Sequence, residues 1–347
     1  MPLASRWDPS GDGSLMSQQA TAQHFDLIDL HPAPTDVTKA VLEGLKRTPK
    51  QLPSWLLYDQ QGSALFDAIC QQPEYTLTRL EKDLLKAQAQ GIAEALPPGS
   101  LVVEFGAGSA EKVSPLLDAM ANPSYLAIDI SAEHLQQAGD RLQQRHPHVP
   151  MMGICADYSQ SLELPLPTAW SSKPMVGFFP GSSLGNFEPD SAVSFLKRIQ
   201  KLLGESAQLL IGIDQPRQQA LLEAAYNDEA GVSEAFAKNL LKRLQRDIAV
   251  EIDPDQFSYQ AHWEPEQQRI KMSLIAERTQ IWKIDNSRIS FSAGEALITE
   301  YSYKYEPSEF LALATNAGWE PCQHWCDAAD HFSLHLLTQG DDALKDA

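Results

Sequence analysis

The chain has 347 residues, 43% hydrophobic and 21% charged, the composition of a globular protein with a substantial core. Its 46 acidic residues outnumber 27 basic ones for a formal charge of −19, so it lacks the basic footprint that nucleic acid or an anionic membrane requires, and a small-molecule partner fits better. There is no run of 18 apolar residues and no charged-then-apolar leader, so neither a membrane span nor a secretory signal is expected, and the expected state is a cytoplasmic monomer.

In chain order, residues 1–24 are polar and aperiodic and read as a disordered leader to which no function is assigned. FDLIDL, a proline-rich turn and a helix over TDVTKAVLEGLKRT follow, with Val37, Val41, Leu42 and Leu45 on one face. Ser63 is expected to cap a second helix striped by Leu65, Phe66, Ile69 and Cys70, which Pro73 stops. Tyr58 and Tyr75 fall in the turns at its two ends; they are either half-buried packing residues or hydroxyls aimed into a common pocket.

The stretch LVVEFGAGSAEK over residues 101–112 predicts a buried strand breaking into a glycine turn, with Gly106 and Gly108 allowing close backbone approach. A dinucleotide fingerprint would place its third glycine at Glu111, and a carboxylate there repels a pyrophosphate, which argues against NAD. Glu104 at the strand end, the two glycines, and Asp129 ending the next strand (YLAIDIS) suit a ligand with a ribose diol and a cationic, phosphate-free middle. S-adenosylmethionine (SAM) is such a ligand. The βα alternation continues through VPMMGICAD, ending in Asp157 and Tyr158, then MVGFFPGSSLGNF and AQLLIGID, and so predicts a parallel sheet with its ligand beyond the carboxyl ends of the strands. Asn186 in the GSSLGN loop either meets a substrate or belongs to the N-cap region of the next helix.

Residues 217–247 read as helices, and from Phe257 a period of two predicts an antiparallel meander (FSYQAHWE, RIKMSLIAERTQIWKI, RISFSAG). EALITEYSYKY reads as an edge or loop, a helix runs to Gly318, and HFSLHLLT closes the sheet antiparallel to strand five. Cys70, Cys155, Cys322 and Cys326 are too scattered for a disulfide framework. No C-x-x-C pair accompanies His324, His331 and His335, so no metal is assigned.

The motifs YDQQGSALFDAICQQPEYTLTR, VEFGAGSAEK, IDIS, FFPGSSLGNF, AYND, IKMSL and TEYSYKY, in this order and spacing, resemble the SAM-dependent histidine Nα-methyltransferases of ergothioneine biosynthesis over nearly the whole chain after the leader. The resemblance implies a Rossmann-like α/β methyltransferase fold, with a mostly parallel seven-stranded sheet and an inserted α+β substrate-binding domain. The corresponding division is 25–80 (N-terminal part of the substrate domain), 81–216 (SAM-binding core), 217–303 (inserted lid) and 304–347 (completion of the core). It implies cofactor binding by Glu104, Gly106, Gly108, Lys112, Asp129, Asp157 and Tyr158, with Asp129 on the ribose hydroxyls and Asp157 and Tyr158 at the adenine. For L-histidine it implies Asn186 and Tyr226 on the carboxylate, Tyr58 and Tyr75 near the amine and ring, Glu300 and Ser302 on the imidazole, and Met272 lining the ring pocket. Tyr58 and Gly181 are the implied catalytic positions, Gly181 presenting backbone near the amine. Thr76, where relatives often carry a second tyrosine, and the bulky Tyr301 between Glu300 and Ser302 depart from the pattern and reshape the pocket. The implied reaction is three methylations of histidine to hercynine. Methylation of another amino acid such as tryptophan, tyrosine or a modified histidine, a non-catalytic SAM-binding regulator, and a purely structural α/β module are the competing readings.

Overall fold

A computed structural model describes residues 25–30 and 34–340; the expected leader over residues 1–24 lies outside the described residues. Short apolar runs at 101–105, 124–129, 151–155, 175–179 and 208–214 form parallel strands buried on both faces, as expected where crossover helices cover a sheet. Phe332–Gln339 pairs antiparallel with Gln208–Asp214, in the place expected for HFSLHLLT, and Trp319–Cys326 pairs antiparallel with it at the edge. The sheet has eight strands rather than seven. Asp26–Asp29 adds in parallel beside Met151–Cys155, so this segment joins the large sheet and not the substrate domain to which 25–80 was assigned. It docks because Gly139 and Gly153 have no side chains: a Cβ on either would lie 2.3 or 2.7 Å from the Phe25 ring. The boundary expected at 80/81 falls inside the helix Leu77–Ala95.

Strand order reverses on either side of Leu101–Phe105, which places the ligand crevice at its carboxyl end. Over that end lies a second, four-stranded sheet ordered Lys50–Gln51, Ala296–Tyr303, Arg269–Ala276, Phe257–Glu264. Gln280–Ile284 and Ser287–Phe291 form a separate hairpin, so the meander splits after Ala276. The strand Ala296–Tyr303 is a correction, since EALITEYSYKY reads as edge or loop but pairs on both sides and is buried almost throughout. Its register shifts between Ile298 and Glu300, which leaves Thr299 as an extra residue. That bulge changes the alternation, so Ile298, Tyr301, Tyr303 and Tyr305 enter one hydrophobic cluster while Glu300, Ser302 and Lys304 take the opposite parity.

The helix carrying the Leu65 stripe starts at Gln60, not at Ser63. Asp59 is its cap, accepting from the Gly62 amide at 2.7 Å, and Ser63 is buried inside the first turn. Asp59 is held in turn by Asn239 (2.7 Å) and Arg246 (2.8 Å), while Arg243 donates to the carbonyls of Trp55 and Leu56, so the residues flanking Tyr58 are tied to the helix Val232–Ile248. Among the described residues no helix is long and apolar enough to cross a membrane, and no group of three or more His, Cys, Asp or Glu side chains could hold a metal ion.

Candidate functional site

A cavity of about 540 Å³ opens between the carboxyl ends of the parallel strands and the four-stranded sheet. One wall is backbone. Gly106 and Gly108 have φ of +73° and +52°, and a Cβ on Gly106 would lie 3.0 Å from the Tyr158 hydroxyl, so only glycine lets the turn lie beneath that ring. Asp129 accepts from the Gly108 amide at 2.8 Å and the Ser131 amide at 3.1 Å, which fixes its carboxylate at the cavity rim. Asp157 is fixed similarly by the Ser159 amide at 2.9 Å. Burial pushes the Tyr158 phenol well above its ordinary range, so it remains a hydroxyl. Gly106, Gly108, Asp129, Asp157 and Tyr158 all line the cavity.

Glu104 and Lys112 do not line it. Glu104 points into the sheet, wholly buried, and accepts from the Tyr125 hydroxyl; burial first, against that donation, pushes it up to about 8. Lys112 pairs at 2.7 Å with Glu81, whose two carboxylate oxygens accept from the Gly181 amide at 2.8 and 2.9 Å. Burial alone would lower the Lys112 ammonium, but Glu81 outweighs it and the pKa ends raised. Lys112 therefore supports the turn that carries Gly181 (φ +80°), from below the cavity. Glu81 escaped sequence reasoning because its partner is 100 residues away. A carboxylate on the buried stripe of Leu77, Leu84 and Leu85 was the available signal.

The other wall is made of side chains. Tyr58, Tyr75, Gly181, Asn186 and Tyr226 reach it from separate turns and helices, and Met272, Glu300 and Ser302 from the four-stranded sheet, where Met272 stands opposite Glu300. Gly185 lets the turn Ser183–Asn186 touch that sheet, since a Cβ there would meet the Tyr303 carbonyl at 2.5 Å. Asn186 then donates to Glu300 at 2.8 Å and does not cap the next helix, whose N-cap position is Glu188. The two residues expected at opposite ends of histidine are thus adjacent before substrate arrives. Tyr58 also donates to Glu300. Burial pushes Glu300 up to about 8, with Tyr58 and Lys304 pulling it partly back. Burial likewise raises both Tyr58 and Tyr75 well above the ordinary phenol value, so neither is a phenolate at neutral pH.

Tyr226 and Ser302 share a hydroxyl contact of 2.9 Å, and Lys304, which sequence reasoning passed over, donates to both, at 2.6 and 2.9 Å. Of the two departures, Tyr301 is among the residues lining the cavity and packs its ring 3.7 Å from the Arg269 guanidinium, whereas Thr76 does not line the cavity.

The donor wall fits SAM: a cradle that a Cβ would fill, two fixed carboxylates for a diol and a cation, and the one lysine expected at the ligand drawn away onto Glu81. The family model described as histidine-specific methyltransferase, SAM-dependent, matches residues 37–339. The histidine N-alpha-methyltransferase of Mycolicibacterium smegmatis is 33% identical over 309 residues, covering 86% of this chain and 94% of that protein. Its namesake from Mycobacterium tuberculosis is 33% identical over 307 residues with the same coverage, 86% and 94%. Ergothioneine biosynthesis protein 1 of Neurospora crassa is 28% identical along 98% of this chain, which spans 40% of that longer protein. The cavity has one wall suited to the methyl donor and one rich in neutral polar side chains, and the chain that builds it belongs to the SAM-dependent, histidine-specific methyltransferases.

Proposed function

We propose that the protein methylates the α-amine of L-histidine three times, giving hercynine, the first step of ergothioneine biosynthesis. The observation that carries this reading is the buried, bulge-aligned pair Glu300 and Ser302, in hydrogen-bond contact with Asn186 and Tyr226 on one wall of the cavity. An imidazole needs both an acceptor and a donor, and a carboxylate needs neutral donors; these four residues supply both sets.

Asp129 holds the ribose hydroxyls, Asp157 and Tyr158 the adenine region, and the Gly106 and Gly108 backbone closes against the ligand, while Glu104 and Lys112 act from beneath by positioning the strand end and the Gly181 turn. When bound, SAM supplies a methyl group activated on a sulfonium. The protein need not supply a strong base, because an amine with pKa near ~8 is partly neutral at cellular pH. Tyr58 and Gly181 orient the amine lone pair. Tyr58, held as a neutral hydroxyl, can accept from N–H and still sit beside an added methyl. Histidine displaces the Asn186–Glu300 contact and gives each partner a new one.

Histidine incubated with labelled SAM is expected to yield mono-, di- and trimethylhistidine. A folded protein that binds SAM and forms none of them would sink the proposal. Titration of an amino-acid panel with S-adenosylhomocysteine present separates histidine, whose imidazole both donates and accepts, from tryptophan and tyrosine.

A further inference from the structure

Beneath the substrate wall lies a cation that the steps above do not use. Lys304 follows Ser302 by two residues on the same face of its chain segment, and its side chain is 0% exposed. An ammonium is tolerated at such depth only when its charge is met, and here it pairs with the Asp214 carboxylate at 2.8 Å and donates to the Tyr226 hydroxyl at 2.6 Å and the Ser302 hydroxyl at 2.9 Å. Asp214 also takes Arg217 at 2.6 Å, and its amide donates to Ser182 at 3.0 Å, in the turn beside Gly181. The cluster holds two cations against one carboxylate. Burial alone would lower the Lys304 pKa, but Asp214 and Tyr226 more than offset it, so the ammonium persists.

Counting protons gives the hydroxyl pair a direction. Lysine only donates, so both oxygens accept from Lys304. The Tyr226–Ser302 contact uses one hydroxyl proton, and the other has no acceptor inside the triangle. If Ser302 gives its proton to Tyr226, the Tyr226 proton is free for the cavity and Ser302 keeps a lone pair that can accept an imidazole N–H. This arrangement alone satisfies both substrate contacts at once.

We propose that Lys304 is a positioning and specificity-determining residue: it orders the Ser302 to Tyr226 relay so that Tyr226 donates to the substrate carboxylate, and its buried charge selects an anionic carboxylate over a neutral group at that end. The assignment rests on the functional reading above, which puts the substrate carboxylate at Tyr226.

The test is calorimetric titration, with S-adenosylhomocysteine present, of histidine and of histidinamide, in which a neutral amide replaces the carboxylate. The wild-type chain binds histidine in preference to histidinamide. In Lys304→Met, histidine affinity falls by roughly 30-fold or more while histidinamide changes by about threefold or less, and S-adenosylhomocysteine binds as before. Equal losses for the two compounds would mean a merely structural lysine and would overturn the assignment. Should that variant not fold, Tyr226→Phe and Ser302→Ala decide instead. With Lys304 retained, each weakens histidine yet preserves a preference over histidinamide; a preference erased in either would put the selectivity in the hydroxyls and overturn the role of the ammonium. A wild-type chain that takes S-adenosylhomocysteine but no histidine would overturn the functional reading, and this assignment with it.

Discussion

The two walls of the cavity are held in place by different means. On the donor side the glycine turns at residues 106 and 108 and the carboxylate of Asp129 are fixed by main-chain amides at the ends of parallel strands. On the acceptor side Glu300, Ser302 and Tyr226 are fixed by other side chains, among them a buried ammonium. A backbone wall changes little when one distant side chain is altered, whereas a side-chain wall passes every substitution on to its neighbours. On the proposed function, the first wall serves any chemistry that uses the same methyl donor, and selectivity for the acceptor is concentrated in the second.

The largest effect should come from the buried carboxylate that holds the Gly181 turn. Glu81→Ala leaves the Gly181 amide and Lys112 without their partner and is expected to cost about 3 kcal/mol of stability in urea unfolding, with weaker histidine binding. Unchanged stability would show that the Gly181 turn holds itself.

Next, Glu300→Ala should lower histidine affinity by roughly 100-fold while S-adenosylhomocysteine affinity stays within about threefold, as titration would show. Parallel losses would mean that the walls are not independent.

Acidity gives a third test. Glu104, behind one wall, and Glu300, on the other, are both pushed up from 4.5 to about 8 by burial. Between those values the folded chain keeps protons that the unfolded chain releases, so stability of the ligand-free protein declines as pH rises from about 4.5 to about 8 and levels off above. Thermal melts across this range should show the decline, and Glu300→Gln should flatten it only in part. The smallest effect is expected for Tyr58→Phe, about tenfold in kcat with little change in histidine KM, if the hydroxyl orients the amine and does not serve as its base.

The same contrast explains what could be read from the sequence. Gly106, Gly108, Asp129 and the parallel strands were legible because each signal is local: a β-favouring run, a glycine spacing, an acid closing the next strand. The strand Ala296–Tyr303 was not, because Thr299, Glu300 and Ser302 look like surface residues in one dimension and are buried only because partners from distant segments satisfy them. Glu81 and Lys304 were missed for that reason too. Ser63 gave way to Asp59 as a helix cap because Asp59 also meets Asn239, 180 residues further on.

Tyr58, Phe66, Tyr75, Phe236 and Tyr226 line the cavity and touch one another edge to face, with ring centroids 5.4–6.3 Å apart along the chain of contacts. Every methyl added to an amine replaces an N–H by carbon, so a surface that gripped nitrogen through hydrogen bonds alone would lose its hold at each round. Aromatic rings behave in the opposite way, since a quaternary ammonium has no protons to donate and is attracted by the negative ring faces. A nitrogen beside such a lining meets surroundings suited to its whole series of methylation states, and the catalyst can return to the same atom until no proton is left to replace.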